Sequence, residues 1–350
     1  MARASPGRKL PRRVFPGRGG ESLHASHASE LYSPGVRPSW LKVEENMKHS
    51  AVLLIDCPDR KGLVARVSSL LYERGANILH ADQHQDHALG LFFMRVEWAL
   101  DSGAEDAGVG QETGRAAGKD PGERFDLDGF RQAFAPLAAE LGMRWNLTSS
   151  ASKPRMALFC SQYLHCMADL LHRWRTGELD CEIPIIVSNH RDVERLAGFY
   201  GIPFEFVEAG ARKRDEAEAR QLELLERERI DLMVLARYMQ ILSPGFVGRY
   251  PARIINVHHS FLPAFTGAKP YHAAHARGVK LIGATSHYVT EVLDDGPIIE
   301  QDVARISHRD QVEDLVARGR DLERIVLSRA VRWHLDRRIL CYGNKTVVFD

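Results

Sequence analysis

The stretch from Arg253 to Asp302 of this 350-residue chain holds the residue types and spacings best suited to chemistry. In RIINVHHS the apolar Ile254 and Ile255 give way to Asn256, His258, His259 and Ser260, as in a buried strand that ends in a cleft. Asn256 and His258 are two apart, so an extended backbone sends both side chains to one face. Leu262 and Pro263 then give the chain a fixed, non-helical exit. Downstream, EVLDDGPII places Asp294 and Asp295 on a turn bounded by Gly296 and Pro297, within reach of the same cleft. An Asn, a His and an Asp without a nucleophilic Ser or Cys suit a carbonyl that passes through a tetrahedral state. Asn256 and a protonated His258 supply donors to the oxyanion. Asp294 takes the attacker's proton and, by its charge, favours the protonated form of His258. The residue types alone leave a second reading open, in which the three are turn and cap residues.

Those residues also carry a resemblance. Asn256-Val257-His258 with Ser260, Leu262 and Pro263, then His287, then LDDGPII, resemble the 10-formyltetrahydrofolate-dependent formyltransferase fold family. The resemblance implies that Asn256, His258 and Asp294 are the catalytic trio. The longer stretches HHSFLPAF, GAKPYHAAHARGVKLIGATSHYV, DDGPIIEQDV and CYGNKTVVF are most similar to the branch of that family that hydrolyses its folate substrate, and the likeness runs from about residue 50 to the end. It implies release of formate from 10-formyltetrahydrofolate, with folate as substrate and no separate cofactor. It also implies a link to purine synthesis and to the balance of the one-carbon folate pool. Two alternatives remain: formyl transfer to an amine acceptor, and a catalytically inactive regulator that binds folate or an amino acid.

The elements that must position these residues form two domains. Residues 1–46 carry Arg3, Arg8, Lys9, Arg12, Arg13 and Arg18 before the first acid, among Pro, Gly and Ser, and read as a disordered or non-native extension with Met47 as an alternative start, an organelle transit peptide being the second reading. From Ser50, AVLLIDC is a strand, LVARVSSLLYERG an amphipathic helix stopped at Gly75, and ANILHADQHQD with LGLFFMRVEWAL a strand pair; FDLDGFRQAFAPLAAELG is a second helix. This order over residues 50–147 resembles a ferredoxin-like ACT domain, with Asp59, Lys61, Gly62 and Asn77 where such modules meet ligands or partners. That resemblance implies an amino-acid effector, glycine or methionine, or a role in assembling a homo-oligomer. Residues 101–124 read as a flexible insertion, and TSSASKP as a linker. From residue 154 to 350, strands and helices alternate, which predicts a doubly wound, mostly parallel α/β sheet that collects ligands at its strand C-termini. Ser188 to His190, Arg237 to Leu242 and Asn256 to Ser260 fall at such ends. The last residues read as one helix and a closing hairpin.

LARYMQILSP resembles the loop that cups the pterin ring in the formyltransferases. By that likeness Arg237, Met239, Gln240 and Leu242, together with His287 and Gly296, are substrate-binding residues. Relatives often carry Arg at the position of Gln240. Enzymes that formylate glycinamide ribonucleotide have a glycine-rich phosphate loop after the strand RMALFC; here the loop is Ser161-Gln162-Tyr163-Leu164-His165-Cys166, with no glycine.

Composition narrows the classes further. A formal charge of +1 gives no polyanion-binding signature, and nothing predicts a nucleic-acid partner. No run approaches eighteen apolar residues, so no membrane span is expected. Cys57, Cys160, Cys166, Cys181 and Cys341 are odd in number and lack C-x-x-C spacing, which suits buried thiols in a reducing cytoplasm. Histidines recur at 258, 259, 272, 275, 287 and 308, but without metal-site spacing, and His258 and His259 should point oppositely on a strand; no metal is expected.

Overall fold

A computed structural model of the chain describes residues 49–101, 125–210, 212–264 and 270–350. The extension over residues 1–46 and the insertion over 102–124 lie outside these. The first part comprises β1 (Ser50–Pro58), α1 (Leu63–Glu73), β2 (Asn77–Asp86), β3 (Leu91–Ala99), α2 (Leu127–Leu141) and β4 (Arg144–Ser149). Its four strands form an antiparallel sheet in the order β2-β3-β1-β4. The strand β4 was not anticipated, because the alternation in RWNLT is short and runs straight into serines. Helix α2 shows why the helices form: Asp126 caps its start by accepting from Gly129 N at 2.9 Å, and Gly142 ends it in a left-handed turn. Phe130, Phe134, Ala138 and Leu141 recur at helical spacing and are buried against Trp98, Met94 and Leu53.

The second part comprises β5 (Arg155–Cys160), α3 (His165–Arg175), β6 (Glu182–Ser188), α4 (Glu194–Tyr200), β7 (Phe204–Phe206), α5 (Arg214–Arg227), β8 (Leu232–Leu235), α6 (Pro244–Val247), β9 (Ile254–His258), α7 (Pro270–Arg277), β10 (Leu281–Tyr288), β11 (Ile298–Arg305), α8 (Val312–Leu335), β12 (Ile339–Tyr342) and β13 (Lys345–Val348). Seven strands make one sheet in the order β11-β10-β9-β8-β5-β6-β7. Pairs among β5 to β9 are parallel, while β10 runs antiparallel to both β9 and β11. The doubly wound, mostly parallel α/β class expected from the alternation is what the chain adopts. Strands β5, β8 and β9 are apolar on both faces, as a sheet covered by helices on both sides requires. The stretch from Leu281 to Tyr288 is the single strand β10, which pairs on both edges.

Helix α8 is opened by a reciprocal cap between Gln311 and Asp314 and buries Leu315, Leu322, Val326, Leu327, Ala330 and Val331. Its Gly319 is obligatory: a Cβ there would lie 2.1 Å from Tyr271 Oη. At its far end the ACT-like sheet is docked. Arg95 of β3 donates from Nε to the Arg337 carbonyl at 3.1 Å and from Nη2 to the Asp336 carbonyl at 3.2 Å. Nearby, Phe93 of β3 packs with Leu340, Tyr342, Val347 and Phe349 of the closing hairpin and C-terminus.

Candidate active site

The site lies at the C-terminal ends of β8 and β9, where neighbouring parallel strands deliver loops to one crevice. Ser161 after β5 ties three of them together: its Oγ donates to Asn189 Oδ1 at 2.7 Å and accepts from Met239 N at 3.0 Å. Two of the three strand ends singled out from the sequence, at Asn189 and Met239, are thus joined through the loop after β5.

Asn256, His258 and Asp294 converge. His258, 6 % exposed, places Nδ1 3.2 Å from Asp294 Oδ1. Its Nε2 is buried and has no hydrogen-bond partner among the described residues. Asn256 Nδ2 lies 3.2 Å from His287 Nε2, and that nitrogen is 3.7 Å from Asp294 Oδ1. His287 Nδ1 lies 2.9 Å from the Tyr288 carbonyl, which can only accept, so Nδ1 carries the proton. Burial lowers the pKa of His287 and keeps it neutral, so its Nε2 accepts from the Asn256 amide and fixes which way that amide faces. His287, expected to contact substrate, is placed as the orienting partner of Asn256.

Asp294 is half-buried, and the hydrogen bond from His258 holds its pKa below the ordinary carboxylate value against the opposing effect of burial. The turn that carries it is strained: Asp294 has φ 56°, in the left-handed region. Gly296 braces this turn, since a Cβ there would meet the Tyr288 carbonyl oxygen at 1.7 Å. That contact makes Gly296 a backbone requirement of the turn. Asp295 points outward and is exposed.

The loop after β8 divides its residues differently from the expected pterin cup. Met239 is 49 % exposed and open to the crevice, and Gln240 is half-buried with Nε2 on the Met239 carbonyl at 3.0 Å. Leu242, by contrast, is buried in the core with Phe246 and Tyr250, beneath the loop. Arg237 has φ 64° and turns its guanidinium inward: Nε lies 3.4 Å from Glu323 Oε2, and Cζ sits 5.4 Å from the Tyr163 ring centre.

His259 departs from the expected alternation. It follows the last residue of β9, where the strand geometry has ended, so its ring stacks on that of His258 with centroids 5.1 Å apart. Burial first, then the charge of Arg237, push its pKa down to about 4. Sequence reasoning missed a second cluster altogether. Glu323 of α8, 1 % exposed, accepts from Tyr271 Oη at 2.7 Å and lies 2.7 Å from His165 Nε2. Burial acts to raise its pKa, but the His165 hydrogen bond, the charge of Arg237 and the Tyr271 hydrogen bond together bring it below the ordinary value. His165, Cys166 and Glu323 are the one group of His, Cys and acid residues among those described whose donor atoms come within 4.8 Å of each other. There the carboxylate is already bonded to two neighbours, and burial raises the Cys166 thiol well above its usual pKa.

Comparison with known proteins matches the arrangement. Residues 154–331 match the formyl transferase family and residues 51–97 the ACT domain family. A formyltetrahydrofolate deformylase of Synechocystis is 50% identical over 300 residues, covering 86% of this chain and 98% of that one. The crystal structure of a formyltetrahydrofolate deformylase from Pseudomonas syringae pv. tomato superposes with a TM-score of 0.79 at 47% identity, covering 89% of this chain and 98% of that one. A glycinamide ribonucleotide transformylase from Symbiobacterium toebii matches 59% of this chain and 98% of its own at 29% identity, with a TM-score of 0.54. The likeness to the deformylases extends across both domains, and on that ground the chain belongs to the formyltetrahydrofolate deformylase family.

Proposed function

We propose that Asn256, His258 and Asp294 carry out the reaction of this family, hydrolysis of 10-formyltetrahydrofolate to formate and tetrahydrofolate. The observation that carries the reading is the His258 to Asp294 contact, which leaves Nε2 of the same ring buried and unpartnered. Charged His258 donates from Nδ1 to Asp294 and from Nε2 to the formyl oxygen, and Asn256, oriented by His287, gives a second N–H to the same oxygen. Asp294, held ionised, orients a water and takes its proton as the new carbon–oxygen bond forms. The proton then goes to N10, directly or through His258, as the carbon–nitrogen bond breaks. The product is formic acid, which gives its remaining proton to solvent and leaves as formate.

Catalysis by this trio calls for no resident metal or separate cofactor, because donors to the oxyanion and a base for the water are all side chains. The test is formate release by purified protein with and without a chelator. Equal rates support the mechanism; loss on chelation with recovery on adding zinc would sink it. We further propose a cytoplasmic enzyme that supplies formate for purine synthesis. Four of its five free cysteines are buried, and burial raises the pKa of each of those four, as suits a reducing compartment. No helix among the described residues is long and apolar enough to cross a membrane. The ACT domain is proposed to respond to glycine or methionine and to join copies of the chain into an oligomer. All but one residue of the edge strand β2 are exposed, Ile78 and Leu79 among them, as an unpaired strand awaiting a second copy would be.

A further inference from the structure

We propose that Arg237 decides the acceptor: its guanidinium, backed by Glu323 and faced by Tyr163, fills the wall of the crevice next to the stacked His258 and His259 and so restricts the reaction to water. Three observations converge on this residue. First, Arg237 stands at φ 64°, a conformation that glycine takes freely and a long side chain does not, so the strain is tolerated for the sake of the side chain. Second, Nε and Nη1 are buried without a hydrogen-bond partner among the described residues, and the Glu323 contact at 3.4 Å is an ion pair not aligned as a hydrogen bond. A guanidinium left in this state has donors that the fold does not use.

Third, the cluster closes back on the catalytic residues. His258 stacks on His259, His259 lies 6.1 Å from the Tyr271 ring, Tyr271 bonds Glu323, and Glu323 pairs with Arg237. Gly319 lets Tyr271 approach α8 closely enough to reach Glu323. Tyr163 and His165 come from the loop and first turn after β5, where no glycine-rich cradle is present. The wall is therefore built from four elements, and its cation is already balanced by Glu323, so it acts by bulk. The substituent of an amine acceptor needs the volume the guanidinium occupies, and water does not.

The inference rests on the proposed trio but is tested separately. Purified Arg237→Gly, with glycine now at the left-handed position, is given 10-formyltetrahydrofolate and glycinamide, and formate and N-formylglycinamide are both measured. In the transfer the amine nitrogen bonds the formyl carbon, its proton passes by way of Asp294 to N10, and the carbon–N10 bond breaks. The wild type should make formate only. The variant should raise the ratio of formylglycinamide to formate at least tenfold, while Arg237→Lys, which keeps a long side chain in the same volume, should not. Because Arg237→Gly strips Glu323 of its cation, the double variant Arg237→Gly with Glu323→Gln is run beside it. If both fold and bind the folate yet yield no formylglycinamide, the proposal is overturned. Failure of both to fold also counts against it, since Arg237 would then be a stabilising residue. Loss of the trio reading would show instead as full hydrolysis by Asp294→Asn in the otherwise wild-type chain.

Discussion

His258 Nδ1 lies 3.2 Å from Asp294 Oδ1, and this pairing favours the ionised aspartate while the far nitrogen of the imidazole is buried without a partner among the described residues. Replacing Asp294 by Asn should lower turnover by roughly two or more powers of ten, the scale of a lost general base. Folate binding should change little, because Met239 and Gln240 lie on a different loop. Asp295→Asn should stay near wild type, as that side chain is exposed. Steady-state formate release checks both, and an active Asp294→Asn enzyme would remove Asp294 from the mechanism.

Asn256 and His287 should act as a unit. Losing an oxyanion donor costs about 2.7–4 kcal/mol of transition-state stabilisation, so Asn256→Ala should lose roughly 100- to 1000-fold in kcat. His287→Ala removes the group that orients the amide and should lower kcat by a smaller factor, with KM little moved. The double variant should be no worse than Asn256→Ala alone. Additive losses in a double-mutant cycle would mean that His287 acts on its own.

Two histidines, His259 in the interior and the half-buried His334, make the fold acid-sensitive. Burial lowers His334 from 6.5 to about 3, with its Nδ1 2.7 Å from Tyr288 Oη, and burial lowers His259 from 6.5 to about 4. Both folded values are below the unfolded one, so the unfolded chain binds more protons and stability falls as pH drops below about 6.5, levelling off only near the folded values. At pH 5 each such group costs about 2 kcal/mol, from 1.36 kcal/mol per pKa unit. Thermal melts from pH 7.5 to 4.5 should show Tm falling, and His334→Gln should flatten the slope. A pH-independent Tm would contradict the burial of these rings in the neutral form.

Asn256 and His258 were legible because β9 is short, apolar and abruptly polar at its end, and Asp294 because a Gly-Pro turn follows it. Their meeting was legible too, from the two-residue spacing, the reach of the turn and the resemblance; the role of His287 was not, since nothing local says that β10 lies against β9 in the register that sets His287 opposite Asn256. Glu323 was hidden for a different reason. On a helix with charged neighbours at Asp321 and Arg324 it reads as a solvated side chain, and only Gly319 and the distant Tyr271 and His165 make it a buried one. Leu242 looked like a wall of the folate slot because its loop does border the crevice, but the packing of Phe246 and Tyr250 turns it under. The parallel order of β5 to β9 followed from the alternation of strands and helices, whereas β4 had too little pattern to be seen.

Helix α8 runs unbroken for 24 residues, about 36 Å at 1.5 Å per residue, with Glu323 at its middle and Arg95 of the ACT domain seated on the carbonyls just past its end. The end of this helix is therefore held by a residue of the other domain. Heat or denaturant should then produce a single cooperative transition, and the amides of the last turn of α8 should exchange with solvent only as the docking of Arg95 is lost.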